Sequence, residues 1–163
     1  MRIRHSFDLR KFVIFTYFSA LLVYLIFGFM PAGAANYEVS ARINIPAIDL
    51  VSDVTELDLN GRKLETPDYI VGSYSNAENK TLLIGHRSTV FTNLNQALVG
   101  DAIWYNGRAY LIKKTEMFKK SEINMDRLLK SEETDTLVIM TCAGEDLENG
   151  DATHRLIVTA TVL

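Results

Sequence analysis

Cys142 is the only cysteine in the 163-residue chain, so no intramolecular disulfide can form and no multi-cysteine zinc site can be built. Histidine is nearly as scarce, with three copies: His5, His86 and His154. A basic excess is missing too. Four of the 17 Lys and Arg and one of the 20 Asp and Glu fall in the first 35 positions, which leaves 13 against 19 and a net of −6 for the remainder. An acidic domain repels a phosphate backbone, which argues against nucleic acid as a partner. The chain also lacks internal repeats and low-complexity tracts. Its length suits one domain with a real core.

Charge is absent from one further place. Phe12 to Met30 is an unbroken run of 19 uncharged residues. As a helix it would span about 28 Å, close to the hydrocarbon thickness of a bilayer. Arg2, Arg4, Arg10 and Lys11 precede it and no basic residue follows closely. The positive-inside rule then predicts a cytoplasmic tail (residues 1–11), a transmembrane signal-anchor (12–30), a linker (31–40) and an extracellular domain (41–163). The alternative is a cleaved signal peptide with Ala32-Gly33-Ala34 as its small-x-small site, but the run exceeds a usual signal-peptide core. A lone thiol outside the cell is open to oxidation, which favours a reactive role over an inert one.

Beyond the linker, short strands dominate. Ala41–Ile45 alternates and stops at Pro46, and Leu50–Val54 follows. Asn60-Gly61 marks a turn, Tyr69–Gly72 a strand, and Thr81–Gly85 a stronger one that ends at His86. Thr92–Leu98 is expected to be a short helix capped by Thr92, and Ser121–Lys130 another capped by Ser121. Ile103–Tyr105, Asn106-Gly107 and Ala109–Ile112 form the best hairpin signal, since Asn-Gly suits the positive φ angles of a tight turn. Thr136–Cys142 and Arg155–Leu163 complete the set. The stretch Thr134–Thr141 is apolar on both faces in its second half, as a central strand requires. Many short strands and few helices predict a mainly β fold, a closed or nearly closed barrel or a sandwich.

Cys142 stands where a buried strand is expected to give way to the polar stretch Ala143–Asp146. It is either a small buried hydrophobe or a reactive group on a rigid scaffold. A free thiol is only a few per cent thiolate at neutral pH, so a reactive one needs a cation or a base beside it. His5 falls in the cytoplasmic tail. His154 adjoins Arg155, and neighbours in a strand point to opposite faces. His86 follows a strand and a glycine, either as a surface histidine or as the partner sought. Arg155 offers five donors in a fixed fork. It could form a salt bridge to Glu145 or Asp151, or bind a substrate or an oxyanion. His and Cys lack zinc-ligand spacing here. Glu145, Asp146, Glu148 and Asp151 could take calcium but depart from the EF-hand order, so a solvated acidic loop is the expectation.

Ile84-Gly85-His86-Arg87, Val138-Ile139-Met140-Thr141-Cys142 and His154-Arg155-Leu156-Ile157-Val158, in that order, resemble the signature of the sortases, membrane-anchored cysteine transpeptidases of mainly Gram-positive bacteria. The family's Gly-His motif falls on His86, its Thr-Leu-x-Thr-Cys motif ends at Cys142, and its arginine is Arg155. Ile43-Asn44-Ile45-Pro46 matches the first-strand motif, so the likeness runs from Ile43 to Leu163. Val138 and Ile139 replace the motif's Thr and Leu. The segment before the first strand is short for the lid of pilin-polymerising members, and the Cys142–Arg155 connection is short as well. This points to a small lidless member of the class D or E type.

The resemblance implies a closed eight-stranded β-barrel with short helices. It implies a thiol protease chemistry in which Cys142 cleaves a Leu-Pro-x-Thr-Gly-like sorting motif through a thioacyl intermediate. His86 would protonate the leaving amine, and Arg155, helped by the Thr141 hydroxyl, would hold the substrate and oxyanion. Surface proteins bearing a sorting signal would be donors, and a cell-wall precursor or pilin amine the acceptor. No metal or organic cofactor is required by that chemistry, with calcium at the acidic loop the one addition considered. A plain cysteine hydrolase and an inactive membrane-tethered binding module are the competing readings.

Overall fold

The computed structural model describes residues 37–58 and 64–163. The apolar run 12–30, the tail before it, the first part of the linker and the Asn60-Gly61 turn lie outside the described residues. Among those described, no helix is long and apolar enough to cross a membrane.

Among the described residues, eight strands form a closed barrel in the order β1-β2-β3-β4-β7-β8-β6-β5. They are β1 (Val39–Ile45), β2 (Leu50–Glu56), β3 (Val71–Ala77), β4 (Lys80–Ile84), β5 (Ala102–Tyr105), β6 (Arg108–Lys119), β7 (Thr136–Asp146) and β8 (Ala152–Val162). Closure comes from β1 pairing with β5 through Ile43↔Tyr105 and Asn44↔Trp104, which leaves no open edge. The β2–β3 and β4–β7 pairs are parallel and the others antiparallel.

Period-two alternation fills the barrel. Ile43, Ile45, Ile103, Ile112, Leu137, Ile139 and Val158 point inward and are fully buried. A second, smaller cluster lies outside it. Leu82, Ile84, Val138 and Ile157 project from the outer face and are covered by Phe118, Ile123, Met125, Leu128 and Leu129. This explains why β7 is apolar on both faces: one face lines the core and the other sits under the connection between β6 and β7. The hairpin turns at Asn106 and Gly107 with φ of 47° and 77°, as its sequence predicts.

The helices differ from expectation. Thr92–Leu98 is only a 3-10 turn at Leu94–Gln96, and the Thr92 hydroxyl donates to the Thr89 carbonyl at 2.8 Å instead of capping it. Leu94 and Ala97 plug the barrel, which produces the apolar spacing without a helix. Ser121–Lys130 is broken at Ile123, whose extended backbone turns its side chain onto the outer cluster. A 3-10 turn (Lys120–Glu122) precedes the break, and α1 (Met125–Leu128) follows it, capped by Asn124 rather than Ser121. The strand expected at Tyr69–Gly72 starts later, at Val71, where it meets Val54 of β2.

Candidate active site

Cys142 does not end its strand. β7 continues to Asp146, and β8 begins at Ala152, three residues before Arg155. The two strands stay paired across the site, and Cys142 lies directly opposite Arg155. Both sit on the outer face, in the rows of Val138 and Met140 and of Ile157. Directly opposed residues have Cβ atoms about 5 Å apart. Cys142 is a free thiol of intermediate exposure.

β4 runs parallel to β7 on its other side, and the last pair is Ile84↔Met140. His86 and Cys142 each stand two residues beyond that pair. The segment between is pinned: the Thr141 hydroxyl donates to the Gly85 carbonyl at 2.8 Å in the buried interior. Gly85 has no room for a side chain, because a Cβ there would lie 2.5 Å from Val90 and 2.8 Å from Phe91. The carbonyl of His86 then accepts from the Phe91 amide at 3.0 Å, so the chain turns sharply after the imidazole. His86 is about two-fifths exposed, and its Nε2 lies 3.8 Å from a carboxylate oxygen of Asp68. Asp68 had no signal in the sequence, since only the fold carries the 64–70 segment to His86.

Thr141 therefore faces the core, away from the row of Cys142. The hydroxyl expected beside an oxyanion is instead a bond that fixes the histidine loop. Thr141→Val keeps the shape and removes the donor, leaving a buried carbonyl unpaired. We expect a loss of about 1–3 kcal/mol in the free energy of urea unfolding. An unchanged unfolding curve would show that this bond contributes nothing.

Arg155 is well buried, with its side chain 15% exposed. Nη1 donates to the carbonyls of Ala152 and His154 at 3.1 and 2.9 Å, and Nη2 to Asp151 at 2.7 Å. These bonds engage three of its five N–H groups at most, and Nε–H and one Nη2–H are free of bonds among the described residues. Asp151 is shared with Lys120 and also accepts from the Ala152 amide. The Lys120 ammonium, the Ala152 amide and the Arg155 guanidinium together hold its carboxyl well below the usual carboxylate range. The salt bridge to Asp151 is thus present and orients the fork.

His154 falls opposite Ala143 on the other face from Arg155, with its Nδ1 2.8 Å from the Thr153 hydroxyl. In the acidic stretch, Asp146 is paired with Arg87, and Asp151 with Lys120 and Arg155. Among the described residues, no three His, Cys, Asp or Glu side chains group closely enough to hold a metal ion.

Comparison with known proteins agrees with this architecture. The sortase-domain family model matches residues 43–163. The chain belongs to the sortase family, the cysteine transpeptidases. Sortase A from Corynebacterium diphtheriae (a lid mutant) superposes with a TM-score of 0.60 at 20% identity, over 80% of this chain and 73% of that one. Sortase C-1 from Actinomyces oris gives 0.58 at 27% identity, over 77% and 72%. A Clostridium perfringens sortase D5 transpeptidase gives 0.57 at 22%, over 77% and 79%. Sortases named A, C and D thus share the fold to a similar degree. No curated protein matches the sequence.

Proposed function

We propose that this sortase cleaves a Leu-Pro-x-Thr-Gly-like sorting motif after its threonine and joins the donor to an amine of a cell-wall precursor or a pilin. The observation that carries the reading is the cross-strand pair Cys142↔Arg155 beside the strand end that bears His86. The Cys142 thiolate attacks the threonine carbonyl, and negative charge collects on its oxygen. The free N–H groups of Arg155 stabilise that charge. Collapse breaks the peptide bond, the His86 imidazolium gives its proton to the departing glycine amine, and a thioacyl enzyme remains. The acceptor amine then attacks the thioester, the neutral His86 takes its proton, and the thiolate leaves. The imidazole of His86 gives the proton to the leaving amine and takes one from the acceptor, and the guanidinium only donates hydrogen bonds, so the scheme calls for no metal or cofactor.

A cleft of about 500 Å³ opens on the same outer face, lined by Phe118, Ile123, Leu128, Val138 and Ile157 together with charged residues such as Lys80, Glu116 and Glu132, and not by His86, Cys142 or Arg155. We further propose that the apolar run 12–30 anchors the domain outside the cell membrane.

Incubating the full-length protein with a fluorescent sorting peptide and a glycine or lysine amine is expected to yield a ligated product by mass. Hydrolysed peptide alone, with every amine tried, would make the protein a cysteine hydrolase. No turnover at all, with Cys142 inert to thiol reagents, would make it a binding module.

A further inference from the structure

The residue that follows His86 has its own tie to the strand of Cys142. Arg87 Nη1 donates to the Gly144 carbonyl at 2.9 Å, and its Nη2 is ion-paired with Asp146. Gly144 lies in the irregularity between Ala143 and Asp146, where β7 slips against β8. Its φ of 77° suits glycine, and a Cβ there would lie 2.6 Å from His154 Nδ1 and from the Thr153 hydroxyl. A bulge leaves backbone groups outside the ladder, and such groups need partners. Arg87 supplies a donor for this one.

His86 is thereby spanned on both sides. Before it, Gly85 accepts from Thr141, the residue preceding Cys142. After it, Arg87 reaches Gly144, two residues beyond Cys142. Neither bond touches the imidazole, yet both fix the backbone from which it projects. We propose that Arg87 is a positioning residue whose guanidinium, bridging Gly144 and Asp146, holds His86 in register with Cys142. The proposal rests on reading His86 and Cys142 as the reacting pair. Arginine suits the task because its planar fork serves two acceptors at once, which an ammonium on a flexible stem does poorly. Asp146 is three-quarters exposed, so its ion pair is screened, and the Gly144 bond is the more important contact.

Cys142 is the only thiol in the chain, so alkylation by iodoacetamide reports on it alone and needs no sorting peptide. Iodoacetamide consumes the thiolate, so the alkylation rate reports on the surroundings of Cys142. Arg87→Ala in the full-length protein is expected to slow alkylation about tenfold, as a misplaced partner should, and Arg87→Lys to recover part of the rate. In a His86→Ala background, Arg87→Ala should have no further effect. In peptide transfer, Arg87→Ala should lower kcat with KM little changed. Equal slowing in both backgrounds, or no slowing in either, overturns the proposal. If Arg87→Ala does not fold, Asp146→Ala and Arg87→Lys carry the same cycle, with a milder slowing that must vanish without His86. Absence of transfer to every amine would sink the proposed acceptor chemistry and leave this cycle readable. A rate insensitive to His86→Ala would sink the proposal itself.

Discussion

Cys142→Ala is expected to abolish cleavage and transfer of the sorting peptide, with no detectable thioacyl adduct by intact-protein mass. The variant removes the only thiol in the chain. The adjacent hydroxyl, that of Thr141, faces the core and donates its proton to Gly85. The fold should survive, because Cys142 is only partly buried and Ala fits a strand packed around it. A loss of about 1 kcal/mol or less is the expected stability change. Residual turnover above the rate of peptide alone would end the assignment of Cys142 as nucleophile. His154→Ala provides the control: on the opposite face, it should leave the rate within about twofold, the scale of a residue outside the reaction.

Arg155→Ala should reduce kcat/KM by about a hundred- to a thousandfold, the range seen when one oxyanion donor is lost. Arg155→Lys should recover little, since a single ammonium cannot reproduce bonds to two carbonyls, a carboxylate and a substrate together. Undiminished kcat/KM in Arg155→Ala would reduce the residue to a structural tie between β8 and Asp151. The tie itself has a pH signature. The folded-state pKa of Asp151 is depressed, while in the unfolded chain an aspartate titrates near pH ~3.9. Its ion pairs therefore contribute stability that is fully present above that value and is lost progressively as pH falls from it through the depressed folded value. In urea unfolding from pH 7 to pH 3, wild type should exceed Asp151→Asn by a constant margin above about pH 5, and that margin should shrink below about pH 4. A margin independent of pH would mean that the Asp151 charge is not what stabilises the site.

Most of the barrel could be read from the chain because its signals are local. Alternation marks β1, short apolar runs mark β4 and β7, and Asn106-Gly107 specifies its hairpin through backbone sterics alone. The helices differ from the sequence expectation because Leu94, Ala97 and Ile123 are apolar for tertiary reasons. Two plug the barrel and one breaks a helix to cover the outer face. β7 runs past its expected end for a similar reason. Ala143–Asp146 is polar enough to read as a loop, yet β8 holds it in the sheet as far as Asp146↔Ala152.

For the site, the chain alone singled out Cys142 as the one thiol, His86 as the histidine with the right placement and Arg155 as a cation on the opposite face from His154. Residue chemistry and strand parity left each an ordinary alternative, and the resemblance to the sortase signature narrowed them to these roles. Only the tertiary structure set Cys142 opposite Arg155, brought the end of β4 beside β7, and turned Thr141 inward to Gly85. It also recruited Asp68, Arg87 and Lys120, which lie far in sequence from the groups they meet. Strand register and parallel pairing are decided by long-range packing, and a one-residue slip would send Cys142 to the inside of the barrel.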